Sequence, residues 1–364
     1  MNRLAVLTSG GDSPGMNAAV RAVVQVGAAI GYEVYGVRRG FQGLIDGQVA
    51  PLTRADVAGI ARRGGTVLGT ARCLAFHEKG VREAAAEVLR AKEITGLIVI
   101  GGNGSLTGGH LFSEELDHTG QRFRVIGLPA SIDNDLAYTT MAIGTDTAQN
   151  TIVEAIDRIA DTASAHERTF VVEVMGRDCG YLALTAAVAS EADGVLMRET
   201  GLSDEEVVDR LVHIVRSAYS PATGKHSVLI VKSEGVSLSS SELKRRVDAA
   251  LDGHGLRVET RVSVLGHVVR GGAPSAFDRL LAGRLAHAAV RAIQRGRTDE
   301  MAGWHVLHRP GGELPDAVFD LDPFITFWSL DRVLQETLRI KDGTAEVTRW
   351  RVKLLREVEP ILAS

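Results

Sequence analysis

Asp133 and Asp135 stand two residues apart in Gly127-Leu128-Pro129-Ala130-Ser131-Ile132-Asp133-Asn134-Asp135, just past an apolar run. If the chain stays extended there, both carboxylates point to the same side. Like charges held that close raise the proton affinity of one carboxyl, which suits a general base, or they share a cation. An Asx-rich surface loop has the same composition, so the pair gains meaning only from its neighbours.

Two glycine-rich segments supply such neighbours. The apolar run 4–8 leads into Ser9-Gly10-Gly11-Asp12-Ser13-Pro14-Gly15-Met16-Asn17, followed by a helical pattern over 18–30. A glycine turn that opens a helix offers backbone N–H groups and the positive end of the helix dipole, and phosphate is its natural guest. The same residues fit G-x-S-x-G, the elbow of a serine nucleophile at Ser13. That chemistry needs the N–H of the next residue for an oxyanion, and Pro14 has none. The second segment, Gly101-Gly102-Asn103-Gly104-Ser105-Leu106-Thr107-Gly108-Gly109, lets backbone approach a polyphosphate at Gly102, Gly104 and Gly108. Its spacing is neither the dinucleotide fingerprint nor a Walker loop. The Gly224-Lys225 pair is no Walker loop either, since Tyr219 stands where the first glycine would be.

Basic residues form a third set. Arg72 follows Gly64-Gly65-Thr66, Arg168 precedes the apolar run 170–174, and that run ends in Met175-Gly176-Arg177. Arg261, His267 and Arg270 come before Gly271-Gly272. The rigid donor fork of arginine suits phosphate, so arginines at strand ends read as phosphate clamps. Taken singly, each is as well explained as a surface charge, Met175 as packing, and His267 as a satisfied core group.

The elements that position these residues follow from patterning. Apolar runs of strand length recur at 4–8, 33–37, 96–100, 124–128, 170–174, 228–232 and 262–265, separated by amphipathic stretches such as 84–92 and 204–218. Such alternation predicts β-α-β units around parallel sheets. In open α/β sheets ligands sit beyond the carboxyl ends of the strands, where these glycines fall. Ser203 is a plausible N-cap for the helix over 204–218. Residues 330–364 read as helix with a break at Lys341-Asp342-Gly343, and no repeat or low-complexity segment is present.

Composition narrows the class. With 364 residues and 45% apolar content the chain can bury one large core or two. A net charge of -4 carries no footprint for nucleic acid. Two cysteines, Cys73 and Cys179, build neither a disulfide framework nor a zinc site, and no segment near the start has the length of a membrane span. A cytoplasmic protein without a membrane or nucleic-acid partner is expected.

Taken together, Gly-Gly-Asp-Ser-Pro-Gly-Met-Asn, Pro-Ala-Ser-Ile-Asp-Asn-Asp, Met-Gly-Arg and Gly-His-Val-Val-Arg-Gly-Gly resemble the bacterial phosphofructokinases, in order, from Leu4 to about Arg284. The resemblance implies two Rossmann-like three-layer α/β domains with mainly parallel sheets and an active site in the cleft between them. An ATP-binding domain is expected over 1–144 plus about 269–320, and a fructose 6-phosphate-binding domain over 145–268 plus about 321–364. It implies Mg-ATP as donor, the 1-hydroxyl of fructose 6-phosphate as acceptor, and Asp133 as the base, assisted by Ser131 and Asp135. Gly11, Arg72, Cys73, Gly102, Asn103, Gly104, Ser105 and Gly108 would hold the nucleotide, with Arg72 reaching both substrates and Asn103 and Asp135 beside Mg2+. Met175, Gly176, Arg177 and Glu234 would contact the sugar, and Arg177 would also meet charge on the moving phosphoryl group. Arg168, Arg261, His267 and Arg270 would bind the 6-phosphate, Arg168 and Arg261 from a neighbouring subunit of a homotetramer.

Departures from the family pattern matter. Asn103 stands where the family usually has Asp, which keeps an acceptor oxygen and loses a charge. Gly104 and Ala130 stand where pyrophosphate-using relatives carry Asp and Lys, which favours ATP over pyrophosphate. Gln25 and Ala160 replace arginines of regulated relatives, although Arg21 and Arg54 remain, so no response to nucleoside diphosphate or phosphoenolpyruvate is expected. NAD kinases share a Gly-Gly-Asp-Gly loop but lack the Met-Gly-Arg and Gly-His-Val-Val-Arg-Gly-Gly pair, and a non-catalytic nucleotide or sugar-phosphate sensor would have no use for Asp133.

Overall fold

The structure, a computed structural model, describes residues 2–118, 123–223, 225–305, 318–319 and 322–362. In chain order its strands are β1 Asn2–Ser9, β2 Tyr32–Val37, β3 Val49–Pro51, β4 Gly96–Gly101, β5 Arg124–Pro129, β6 Thr169–Val174, β7 Gly194–Leu196, β8 Val228–Ser233, β9 Thr260–Val264, β10 Glu300–Trp304, β11 Val318–Phe319 and β12 Asp322–Ser329. The α-helices are α1 Met16–Ala29, α2 Gly40–Ile45, α3 Lys79–Ala91, α4 Asn103–His118, α5 Thr145–Ala165, α6 Tyr181–Ala189, α7 Asp204–Ala218, α8 Ser240–Gly253, α9 Ala276–Gln294, α10 Leu330–Lys341 and α11 Glu346–Leu362. Every apolar run singled out by patterning is a strand, and the helix over 204–218 is capped by Ser203 with Glu206 in a reciprocal capping box. The break at 341–343 separates α10 from α11.

Two compact units result, Met1–Thr147 with Arg270–Leu338, and Ala148–Val269 with Arg339–Ser364. In the first, the described strands run in the order β11-β12-β10-β5-β4-β1-β2-β3. β2, β1, β4, β5 and β10 are parallel, and β3, β11 and β12 pair antiparallel at the two edges. Alternation along β1 explains why helices cover both faces. Leu4 and Val6 join a cluster with Val20 and Val23 of α1 and Leu281 and Leu285 of α9, while Ala5 and Leu7 pack with Leu89 of α3 and Phe112 of α4.

The second unit carries a wholly parallel sheet in the order β7-β8-β6-β9. Val171 and Ile230 bury one of its faces against Val207, Leu211 and Val215 of α7 and Leu243 and Val247 of α8. Helices α6 and α11 pack together, and both lie against the β7 side.

The third crossing of the chain differs from the expected 320, a residue outside the described ones. It falls within α10, because β12 pairs with β10 and extends the first sheet. β10 escapes sequence patterning because Met301-Ala302-Gly303 has no β-branched residue, and a Cβ on Gly303 would lie 2.1 Å from the Tyr138 carbonyl oxygen.

The first exit from this unit is fixed by one carboxylate. Asp278, fully buried in the first turn of α9, accepts the Gly144 N–H at 2.7 Å and the N–H of Thr147 at 2.8 Å, along with the Thr147 hydroxyl. Burial pushes the Asp278 carboxyl up, against these stabilising bonds. Asp278→Ala leaves buried donors without an acceptor and should lower unfolding free energy by about 3 kcal/mol, with Asp278→Asn losing less. Urea denaturation of both variants checks this, and an alanine variant as stable as the parent would contradict it.

Candidate active site

The site of the first unit begins where β1, β4 and β5 end side by side. Register places Ser9 opposite Gly101 and Gly101 opposite Pro129, so three loops leave the sheet at one level. After β1 the chain turns through Gly10 and Gly15, at φ 83° and 117°, a region open to glycine. Ser13 is fully buried and donates its hydroxyl proton to the Ile143 carbonyl. It is a structural tie, not an exposed nucleophile.

Asn17, in the first turn of α1, donates to the carbonyls of Arg63 and Gly64, each at 3.0 Å, and accepts the Val67 N–H at 2.7 Å. The hydroxyls of Thr8 and Thr66 meet at 2.8 Å, and Thr70 donates to the Gly10 carbonyl at 2.7 Å. These bonds dock the 63–70 loop on the glycine turn and carry Arg72, exposed, and Cys73, half-buried, past it. Arg270 lies against the same turn. It donates to the Asp12 carbonyl at 3.0 Å, and a Cβ on Gly11 would meet its guanidinium at 2.9 Å. Arg270 therefore belongs to the first unit beside Gly11, whereas Arg168, Arg261 and His267 belong to the second.

Helix α4 opens directly at the end of β4, so its first N–H groups and dipole face the strand ends. A Cβ on Gly101 would lie 2.5 Å from both the Ser9 carbonyl oxygen and the Ser105 hydroxyl, which makes glycine obligatory there. Gly104 has open space around its missing side chain, while Gly108 is held to glycine by the Phe41 ring at 2.8 Å. Packing thus accounts for Gly108, which the sequence reading gave to the nucleotide. Asn103 Oδ1 is buried without a hydrogen-bond partner among the described residues, an acceptor set aside for something the protein does not itself supply.

The loop after β5 differs from expectation. Asn134 lies at φ 48°, so the chain is not extended between Asp133 and Asp135 and strand alternation does not set their directions. Asp135 instead accepts the Ser131 hydroxyl at 2.7 Å, and Thr145 donates to the Ser131 carbonyl at 2.9 Å. Buried Asn134 holds the turn by donating to the Thr140 carbonyl and accepting the Ala142 N–H, both at 2.9 Å. Sequence reading passed over Asn134, although an asparagine between two functional carboxylates is a usual occupant of left-handed backbone. Ala130 donates its N–H to the Gly101 carbonyl at 3.0 Å, and the Gly102 position lies 3.9 Å from the Ser131 Cβ, so the carboxylate loop and the start of α4 adjoin.

In the second unit, the loops after β6 and β8 interlock. Gly176 at φ 121° donates its N–H to Glu234 at 3.3 Å, its carbonyl accepts the Ser233 hydroxyl at 2.5 Å, and a Cβ on Gly235 would strike the Arg177 carbonyl at 2.1 Å. Met175 is buried, whereas the Arg177 side chain is 80% exposed, 3.6 Å from Asp178. His267 stands exposed on the short turn Gly266–Arg270 after β9. Arg168 and Arg261 are both paired with Glu259.

Among the described residues, no cluster of three or more His, Cys, Asp or Glu side chains could hold a metal unaided. The buried, unpartnered Asn103 Oδ1 is an oxygen of the kind Mg2+ takes, an ion that uses one or two protein oxygens and completes its shell with water and substrate phosphates.

A mostly parallel open sheet with glycine turns and a helix start at adjoining strand ends defines an α/β protein of the kind that holds ligands beyond its strand ends. Residues 3–293 match the family described as Phosphofructokinase, and the chain belongs to that family. It is 48% identical over 301 residues to the ATP-dependent 6-phosphofructokinase of Thermotoga neapolitana, covering 83% of this chain and 89% of that one. The enzyme of the same name from Clostridium acetobutylicum is 44% identical over 303 residues, with the same coverage. Phosphofructokinase from Saccharomyces cerevisiae superposes with a TM-score of 0.82 at 32% identity, over all of this chain and 49% of the yeast chain. The pyrophosphate-dependent enzyme of Marinobacter aquaeolei shares the fold, with a TM-score of 0.76 at 22% identity over 98% of this chain and 91% of its own.

Asn134→Ala removes both loop bonds and places alanine in left-handed backbone. A loss of about 1–3 kcal/mol of stability is expected, with turnover reduced in the folded fraction. Equilibrium unfolding and specific activity measured together test it, and full activity at unchanged stability would show that Asn134 does not hold the carboxylates.

Proposed function

We propose that the chain is an ATP-dependent 6-phosphofructokinase, transferring the γ-phosphoryl group of ATP to the 1-hydroxyl of fructose 6-phosphate. The observation that carries this reading is the register that sets the Asp133 loop beside the first turn of α4, in a chain 48% identical to an enzyme of that name. Gly11, Gly102, Gly104 and Ser105 offer backbone and hydroxyl donors to the donor phosphates, with Arg72 adding charge. Cys73 and Gly108 belong to the same nucleotide side by resemblance. Asp133 accepts the proton of the 1-hydroxyl as the new O–P bond forms and the bond between the β- and γ-phosphates breaks, releasing ADP. Ser131 and Asp135 hold the loop that carries Asp133.

In the second unit, Met175, Gly176 and Glu234 contact the sugar, and Arg177 neutralises charge on the moving group. Arg168, Arg261 and His267, together with Arg270, bind the 6-phosphate. No covalent intermediate is required, since phosphoryl transfer depends on position and charge. Mg2+ held by Asn103 and Asp135 would neutralise phosphate charge.

ATP is favoured over pyrophosphate by the open space at Gly104, where an aspartate would intrude, and by Ala130, which stands where pyrophosphate-using relatives carry a lysine. A homotetramer, with Arg168 and Arg261 reaching a neighbour's substrate, follows the family resemblance. Sedimentation at the mass of one chain would remove it. Cytoplasmic residence is proposed on the same footing, and no described helix is long and apolar enough to cross a membrane.

Asp133→Asn should lower kcat by roughly 10² to 10⁴ with little change in KM for fructose 6-phosphate. A coupled assay with ATP and pyrophosphate side by side tests both role and donor. A variant retaining most of its turnover, or faster turnover of the parent with pyrophosphate, would overturn the corresponding point. Asn103→Asp restores a negative charge beside the metal and should reduce the Mg2+ needed for half-maximal rate several-fold. An unchanged Mg2+ titration would place the metal elsewhere.

A further inference from the structure

Arg168 and Arg261 sit at the start of β6 and in the adjacent strand β9, where Phe170 pairs with Arg261. One carboxylate joins them. Glu259 Oε2 lies 2.7 Å from Arg168 Nε, and its other oxygen pairs with Arg261 Nη2. The Thr169 N–H also donates to the Glu259 carbonyl at 3.3 Å, so Glu259 is anchored by backbone to the strand that follows Arg168. Side-chain exposures of 31%, 46% and 45% for Arg168, Arg261 and Glu259 leave the group open to an incoming anion.

We propose that Glu259 is an anionic placeholder, bridging the two guanidinium groups until the 6-phosphate displaces it. The inference rests on the reading of Arg168 and Arg261 as 6-phosphate ligands. A carboxylate bridging two arginines presents two oxygens and one charge. A phosphate monoester presents three oxygens and close to two charges at neutral pH, so it wins the same forks. Unphosphorylated sugars and singly charged anions do not, which makes Glu259 a specificity-determining residue. The displaced carboxylate has a place to go, because Glu259 lines an open surface pocket together with Asp252, Arg257 and Val258. Because the ion pairs are partly exposed, the competition is modest, and the gain from removing it should be modest as well.

Glu259→Gln keeps the shape and removes the charge. KM for fructose 6-phosphate should fall by about 3–10-fold with kcat within about twofold, and calorimetric binding of fructose 6-phosphate to the full chain should tighten by the same factor. A carboxylate with only a structural role would give no gain in affinity. Glu259→Asp, too short to bridge both arginines, should fall between and serves as the second variant should the glutamine form not fold. Arg261→Ala measured alongside separates the two claims, since it should raise KM at least tenfold. If Arg261→Ala raises KM while both Glu259 variants leave it unchanged or higher, the placeholder is wrong and the 6-phosphate reading stands. If Arg261→Ala leaves KM unchanged, the 6-phosphate reading fails and the placeholder with it.

Discussion

The close approach of backbone at the ends of β1, β4 and β5 is the constraint on which the first unit's site depends. Ser9, Gly101 and Pro129 share one level of a parallel sheet, and the space for a Gly101 side chain is already taken by the Ser9 carbonyl and the Ser105 hydroxyl. Only a chain without a Cβ there lets α4 start immediately beyond the strand. From that single accommodation the α4 amides, the Gly10–Gly15 turn and the Asp133 loop become neighbours, without any long side chain having to bridge them.

Charge is then distributed to suit phosphate in a protein whose net charge is -4. The candidate site arginines stand near strand ends and turns, and their partners are modest: Arg270 has a backbone carbonyl, Arg177 a neighbouring aspartate, and Arg168 and Arg261 a shared glutamate. Partners of this kind keep a guanidinium in place and yield to a stronger anion. Structural ties, by contrast, are assigned to buried uncharged or desolvated groups such as Asn17, Asn134 and Asp278, which hold backbone and leave the exposed charges to the ligand.

Much of this was legible in the sequence because strands buried on both faces are written as unbroken apolar runs, and because glycines past their ends have few other uses. The shortest strands and β10 were not legible. β3 and β7 are three residues long, and β10 carries a glycine demanded by the Tyr138 carbonyl. The residue types of the carboxylate loop could be read, but its shape could not, since the left-handed turn at Asn134 depends on partners at Thr140 and Ala142 that local propensity does not encode. Gly108 carries a packing reason that its loop does not reveal, since the Phe41 ring occupies the place of a side chain there. Glu259 escaped because its meaning comes from Arg168, remote in sequence and adjacent only through the β6–β9 pairing.

The most direct test is a crystal structure of the full chain with a non-hydrolysable ATP analogue, Mg2+ and fructose 6-phosphate. The account predicts the γ-phosphate at the first turn of α4, the metal in contact with Asn103 Oδ1, and an Asp133 carboxylate oxygen about 2.6–3.2 Å from the sugar 1-hydroxyl. A nucleotide bound away from Gly11 and Gly104, or an Asp133 turned from the sugar in a fully occupied complex, would contradict it.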